Sequence, residues 1–331
     1  LCALLLGASS ALQAQPQAHG AYLSLGFGNG RMEGGDVEGD RRMRGRAFDI
    51  RAGRSQQDVF GGGRIDFVHY NEGHPDNNHR DGFAVQWLAV RPPGATWAGE
   101  LGIGPYLSMN TTVADGRQID DAHWGILLSG ALRIPLDAPL GLLPPGTHLR
   151  VGLNYVYMPD AHRSIAVLAG LGRQFGPGHP NLATEPGAGP WWFGASVGNS
   201  ITNMAGTDGA RAAVLEARKY LGERFEHWAV SGRFLLEGDD GARVDRRGLA
   251  AQLWYVQQVT PRFAMSAGIG PYVARNRRDN VDPTGGNLLI SFQAERALTP
   301  RTRIFFNFNR VKTFRDTDDR DLFQLGVSKR F

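Results

Sequence analysis

His162 and Ser164, in the stretch "DAHRSIA", have the types and spacing of a base and a nucleophile. The imidazole would take the hydroxyl proton while Asp160 oriented the ring. The segment opens a strand whose alternation turns both side chains inward with Ala166, away from a lipid phase, so a loop-edge pair hydrogen-bonded to water is expected instead. In "HPDNNH", His74 and His79 offer two metal ligands without a third fixed one, and a solvated loop is expected. The acidic run "RDTDDRD" from Arg315 lacks the glycine and terminal glutamate of a calcium loop. The glycines of "FGGGR" from Phe60 precede a strand, not the helix that a phosphate loop requires. No catalytic residue, metal or cofactor is therefore expected.

The elements that hold these residues follow a period of two. In "RFAMSAGIGPYV", Phe263, Met265, Ala267, Ile269, Pro271 and Val273 share one face, and Ala264, Ser266, Gly268, Gly270 and Tyr272 share the other. Sixteen such segments are placed, starting near residues 21, 46, 62, 82, 97, 123, 147 and 163, then 190, 211, 227, 248, 263, 286, 301 and 321. Most run about 9 to 13 residues, the length of a tilted strand crossing a bilayer. "RPPGAT", "QQVTPR" and "ALTPR" read as tight turns on one side; polar stretches such as "GRMEGGDVEGDRRMRG" and "RNRRDNVDPTGG" read as long loops on the other.

The ten residues "LGIGPYLSMN" at 101–110 return as "AGIGPYVARN" at 267–276. Around them Gln86 matches Gln252, Asp49 and Arg51 match Glu216 and Arg218, and Asn154 matches Asn309. This divides the chain into a leader at 1–18, a first eight-strand repeat at 19–175, a Pro/Gly-rich linker at 176–189 and a second eight-strand repeat at 190–331. The expected fold is all-β: an antiparallel transmembrane β-barrel, with two tandem eight-stranded barrels preferred over one of 16 strands. With Phe, Leu, Ile and Val facing lipid, the opposite faces become the lumens. There Asp49, Arg51, Glu72, Gln86, Glu100 and Arg133 form one polar network, and Glu216, Arg218, Arg233, Glu237, Gln252, Glu295, Asn307 and Asn309 form the other. Mixed signs in a narrow interior point to ion pairing, since an unpaired buried charge is costly. In the repeated phrase Leu101, Ile103 and Pro105 are expected to face lipid, and Tyr106 to lie toward the outer rim.

The last strand, "DLFQLGVSKRF", resembles the carboxy-terminal signal of bacterial outer-membrane barrels, with Phe323, Leu325, Val327 and the aromatic Phe331 in alternation. That resemblance implies recognition by the barrel-assembly machinery. Each half is also similar in layout to the lipid A 3-O-deacylase family, through the late acidic residue (Glu72, Glu237), the "GIGPY" strand and a closing aromatic (Phe175, Phe331). The family's reactive His-x-Ser-Asn belongs on the seventh strand, where this chain reads "RVGLNYVY" and "FFNFNRVK" instead.

Composition limits the partners. The 331 residues carry a net charge of +4 with 32 acidic side chains interleaved among the basic ones, which does not make a nucleic-acid stripe. The opening "LCALLLGASSALQA" reads as a truncated signal peptide that contains the sole cysteine, Cys2. Together these features predict a protein exported through a cleaved signal peptide into the bacterial outer membrane. It would be a non-enzymatic envelope component with a charge-filled interior, in contact with lipid and lipopolysaccharide. The alternatives are a 16-stranded pore for small solutes or exported polysaccharide, and a lipid A-modifying hydrolase.

Overall fold

The computed structural model describes residues 20–33, 42–56, 63–73, 79–90, 97–114, 117–136, 143–177, 190–202, 209–222, 225, 227–314 and 318–331. The leader, most of the 176–189 linker, the turn "RPPGAT" and the His74–Asn78 part of the histidine loop lie outside them.

Among the described residues, sixteen strands alternate in direction. The first eight are β1 (Gly20–Glu33), β2 (Arg42–Gln56), β3 (Gly63–Gly73), β4 (His79–Val90), β5 (Ala98–Ala114), β6 (Arg117–Pro135), β7 (Thr147–Tyr157) and β8 (Ser164–Pro177). The second eight are β9 (Trp191–Thr202), β10 (Ala210–Tyr220), β11 (Trp228–Asp239), β12 (Asp245–Thr260), β13 (Phe263–Asn276), β14 (Thr284–Thr299), β15 (Thr302–Thr313) and β16 (Arg320–Arg330). Strand β1 pairs back onto β8, with Gly26 opposite Gly170, and β9 onto β16, with Gly198 opposite Gln324. The result is two closed barrels of eight strands, and the single 16-stranded alternative is set aside. Each ring satisfies its own backbone groups without an open edge, which is the condition for a sheet in lipid.

Alternation sets the two faces. Leu25, Phe27, Ile50, Val85, Leu101 and Ile103 point outward and are exposed, as are Val197, Leu215, Leu249, Ile269, Val273 and Leu325 on the second barrel. At the turn end of that barrel Trp191 stacks on Phe193, Phe193 meets Phe331 edge to face, and Trp228 meets Tyr255 at 5.4 Å, forming an aromatic collar. Tight turns lie at residues 261–262 and 300–301, between β12 and β13 and between β14 and β15. The opposite end is not uniformly long-looped, because β5 and β6 are separated by only two residues. β6 begins at Arg117, ahead of the expected start near 123: the β5–β6 ladder continues past the apolar band to Ala114 opposite Arg117, so the strand outlasts its apolar alternation there.

The repeated "GIGPY" phrase has one structural consequence in both barrels. Pairing of β4 with β5 runs through Ala84–Tyr106, skips two residue pairs, and resumes at Trp87–Ile103; β12 with β13 runs through Ala250–Tyr272, skips two, and resumes at Leu253–Ile269. Pro105 and Pro271 sit in the skipped steps and have no N–H to donate. Beside them a Cβ on Gly104 would fall 1.9 Å from the Val85 carbonyl oxygen, and one on Gly270 would fall 1.8 Å from that of Ala251. Only glycine permits that backbone approach. Tyr106 lies within the barrel, fully buried, because it shares the inward phase of Gly102 and Gly104, and its hydroxyl donates to the Tyr70 carbonyl.

Candidate functional site in the barrel interiors

In the first barrel the middle of the lumen is organised by Arg51. Its Nε donates to Asp49 at 2.7 Å, and its two terminal nitrogens donate to Gln86 at 2.7 Å and Asn154 at 2.8 Å. Asn154 also donates to Asp49, Ser129 donates to the Gln86 carbonyl oxygen, and the Gln86 amide donates to the Leu127 backbone. Strands β2, β4 and β7 are thus tied across the barrel through one guanidinium, and β6 joins them through Gln86.

Toward the turn end, Arg64 holds Asp66 through two nitrogens, at 2.5 and 2.8 Å, and reaches Glu100 at 2.6 Å. Arg133 and Arg150 approach the same Glu100 at 3.1 and 3.2 Å, and Arg150 lies 3.5 Å from Asp49, joining this layer to the one above. The Arg64 guanidinium lies 3.5 Å over the ring of Tyr22. Toward the loop end, Tyr70 donates to Glu72, and Arg80 lies 3.6 Å from the same carboxylate.

Arg80 also resolves the His162–Ser164 question. One terminal nitrogen donates to the Ser164 hydroxyl at 3.0 Å and the other to the His162 carbonyl at 2.5 Å. Strand β8 starts at Ser164, so Ser164 is inside and buried, whereas His162 belongs to the preceding turn and its side chain is exposed. The inward placement expected for His162 is corrected: the alternation does not extend into the turn. The serine is addressed by an arginine, which cannot act as its base.

The second barrel repeats the layers with altered parts. Arg233, on β11, sends one nitrogen to Gln252, Ser291 and Asn309 at 2.8, 2.9 and 2.7 Å. Gln252 donates to the Leu289 backbone, as Gln86 does to Leu127. The guanidinium therefore comes from a neighbouring strand, while the Gln, Ser and Asn occupy matching places. Arg218 pairs with Glu216 at 2.9 Å and lies 3.8 Å over Trp254; Asn307 donates to Gln293, and Gln293 donates to Glu295. Arg303 binds Glu295 at 2.5 Å and the Tyr220 hydroxyl at 2.8 Å. Near the loops Arg246 grips both oxygens of Glu237, at 2.7 and 2.8 Å, and the Tyr272 hydroxyl donates to the same carboxylate.

All fourteen polar residues singled out in the sequence lie inside a barrel. Arg64, Arg80, Arg150, Arg246 and Arg303, which complete the pairs, escaped notice. Arg80 and Arg246 stand in "HRD" and "DRR" beside loops, where an arginine reads as solvated; the inward phase of each strand is the signal that would have found them. Among the described residues no group of three or more His, Cys, Asp or Glu could hold a metal ion. Geometrically the two sites are plugs: bidentate and charge-assisted bonds fill each lumen and join its walls.

Outside the barrels, in the β11–β12 loop, Asp240 caps a turn. Its Oδ1 accepts from the amides of Ala242, Arg243 and Val244, and its Oδ2 accepts from the Thr202 hydroxyl at 2.7 Å. Burial opposes ionisation most strongly, but these donors together outweigh it and hold the carboxyl below its ordinary range.

No protein-family model matches the chain, and no curated protein matches it. Among solved structures, similar barrels include Neisserial surface protein A, at 14% identity and a TM-score of 0.39, covering 48% of this chain and 99% of that one. Ail, the attachment invasion locus protein of Yersinia pestis, is similar at 14% identity and a TM-score of 0.35, covering 48% and 99%. An outer membrane channel from Pseudomonas putida is similar at 12% identity and a TM-score of 0.24, covering 96% and 97%. At these values the likeness is one of barrel architecture and carries nothing about the role of this chain.

Proposed function

We propose that the chain is a non-enzymatic, integral protein of a bacterial outer membrane, with two plugged barrels serving as a rigid platform for its outer loops. The observation that carries this reading is the filling of both lumens: Asp49, Arg51, Asp66, Gln86, Asn307 and Asn309 have at most 1% of their surface exposed. A solute path would need wetted side chains, and an esterase would need a nucleophile with a base beside it. The outward bands of Leu, Ile, Val and Phe supply the lipid-facing surface. Phe323, Leu325 and Val327 face out along β16, with Phe331 beyond it, in the arrangement suited to capture by the assembly machinery. The matching places of Gln86, Ser129 and Asn154 with Gln252, Ser291 and Asn309 support an origin by duplication of one eight-strand unit. Export through the leader, and lipid and lipopolysaccharide as surroundings, belong to the same proposal.

Planar-bilayer recording with the purified full-length protein tests it. No steady conductance above the bare membrane is expected, and a stable large conductance would overturn the plugged-platform reading. In parallel, lipid A from cells expressing the protein should keep its full acyl complement. Loss of a chain that disappears in Ser164→Ala would establish a hydrolase.

A further inference from the structure

Outward-facing residues of a lipid-exposed barrel should be exposed, and one face of each barrel breaks this rule. On the first, Phe83 and Met109 point outward yet are buried; on the second, Ile290 and Arg310 do the same. Elsewhere on the second barrel the outward arginines Arg211, Arg247, Arg275 and Arg296 are exposed, whereas Arg310 is 1% exposed. The two faces cover one another. Phe292 packs against Phe67 at 4.8 Å and Phe83 at 5.0 Å between ring centroids, and His69 stacks on Phe308 at 6.0 Å.

Beside the rings lies a cluster of charge. The His69 Nε2 is 2.5 Å from Asp81 on the first barrel; Arg310 holds Asp321 at 2.9 Å on the second, and the Asp81 carboxylate lies within electrostatic reach of Arg310 across the seam. At the other end Arg54, on β2, meets the Nε2 of His227, which can accept because its Nδ1 donates to the Val256 carbonyl. The composition is not shared by the two halves. Three positions before Glu237 the second barrel shows the lipid Phe234, where the first has His69 before Glu72; after Asn154 the first barrel has Tyr155, where the second has Arg310 after Asn309. Ionisable side chains have entered each outer face on the side turned to the other barrel.

We propose that the two barrels form a fixed lateral pair in the bilayer, docked near the loops through β3–β5 of the first and β14–β16 of the second, and near the turns through β1–β2 of the first and the β10–β12 end of the second. Each barrel is the partner that the other's aromatic and charged face fits, and Asp81 with Arg310 sets the alignment. This rests on reading the outer surfaces as lipid-facing.

Short-range cross-linking of the full-length chain in isolated outer membranes tests the pair. A Cys2→Ser background with Phe67→Cys and Phe292→Cys is treated with a short bis-methanethiosulfonate reagent, since facing rings keep their Cα atoms beyond disulfide reach. Most of the chain should shift to a faster-migrating, reductant-sensitive band, whereas Phe67→Cys with Leu215→Cys, on the far wall of the second barrel, should not. Adding Arg310→Asp should lower the yield several-fold, and adding Asp81→Arg to that variant should restore it. Equal yields from the two cysteine pairs, or none from the first, would overturn the docked pair; an Arg310→Asp yield equal to the parent would overturn the role of the charges. Membrane fractionation and heat-dependent mobility of each variant report the membrane barrel itself, so failure of that reading is seen separately.

Discussion

Arg51 and Arg233 do the same work from different strands, and that makes single side chains testable. Arg51→Met would leave Asp49 buried without its nearest partner and Gln86 and Asn154 without their donor. Removing one member of a buried pair costs about 3–5 kcal/mol, so a clear fall in the urea midpoint, followed by tryptophan fluorescence in detergent, is expected. Arg51→Lys keeps the charge but cannot reach three acceptors at once, and should fall between the two. The loop carboxylate Asp240 gives a prediction in pH. Its folded pKa is depressed, so its contribution is fully present above the ordinary unfolded value near ~3.9 and is lost as pH falls through the folded one. Hydrogen-exchange protection of the Ala242, Arg243 and Val244 amides should hold down to about pH 4 and then decline. Asp240→Asn should remove that dependence.

At the scale of elements, the close approach at "GIGPY" separates two kinds of glycine. Gly270→Ala drives a Cβ into a backbone carbonyl that belongs to the neighbouring strand and cannot swing aside. It should destabilise the second barrel by at least the ~1–3 kcal/mol typical of overpacking and reduce the heat-modifiable fraction on gels. Gly232→Ala meets nothing within 4 Å and should be neutral or gain a few tenths of a kcal/mol by restricting the unfolded chain. Strand positions were legible in the sequence because alternation reports the two faces of a strand directly: β1, β3, β5, β7 and β13 begin within a residue of their expected starts. Where the apolar face ran out the signal failed, as in β6, whose first six residues lie before the expected start, and in Arg80 and Arg246 at the loop ends of their strands. The docked faces were illegible for another reason. His69 and Arg310 are 241 positions apart in the numbering, and period-two reading records which face a residue is on, not what covers that face.

For the whole molecule, closure at eight strands rather than 16 makes each half its own hydrogen-bonded ring. Every ladder of the second barrel joins strands between Trp191 and Arg330, so residues 190–331 expressed alone should close and show heat-modifiable mobility in detergent. What that half lacks is the cover over Arg310. An arginine on a lipid face costs about 2–4 kcal/mol at the midplane and about 0–1 near the interface. Arg310 stands three residues from the loop end of β15, so a cost of about 1 kcal/mol is expected, softened by its own Asp321. Unfolding in lipid vesicles should therefore show a lower urea midpoint for the isolated half than for the same barrel in the intact chain. Replacing both partners, Arg310→Leu with Asp321→Leu, should recover the difference in the isolated half, because an apolar pair suits lipid. In the intact chain the same double substitution should gain nothing, since there the face is buried against Phe67, His69 and Phe83. Equal midpoints for the two wild-type forms, with the leucine pair acting alike in both, would mean that the barrels fold and float independently.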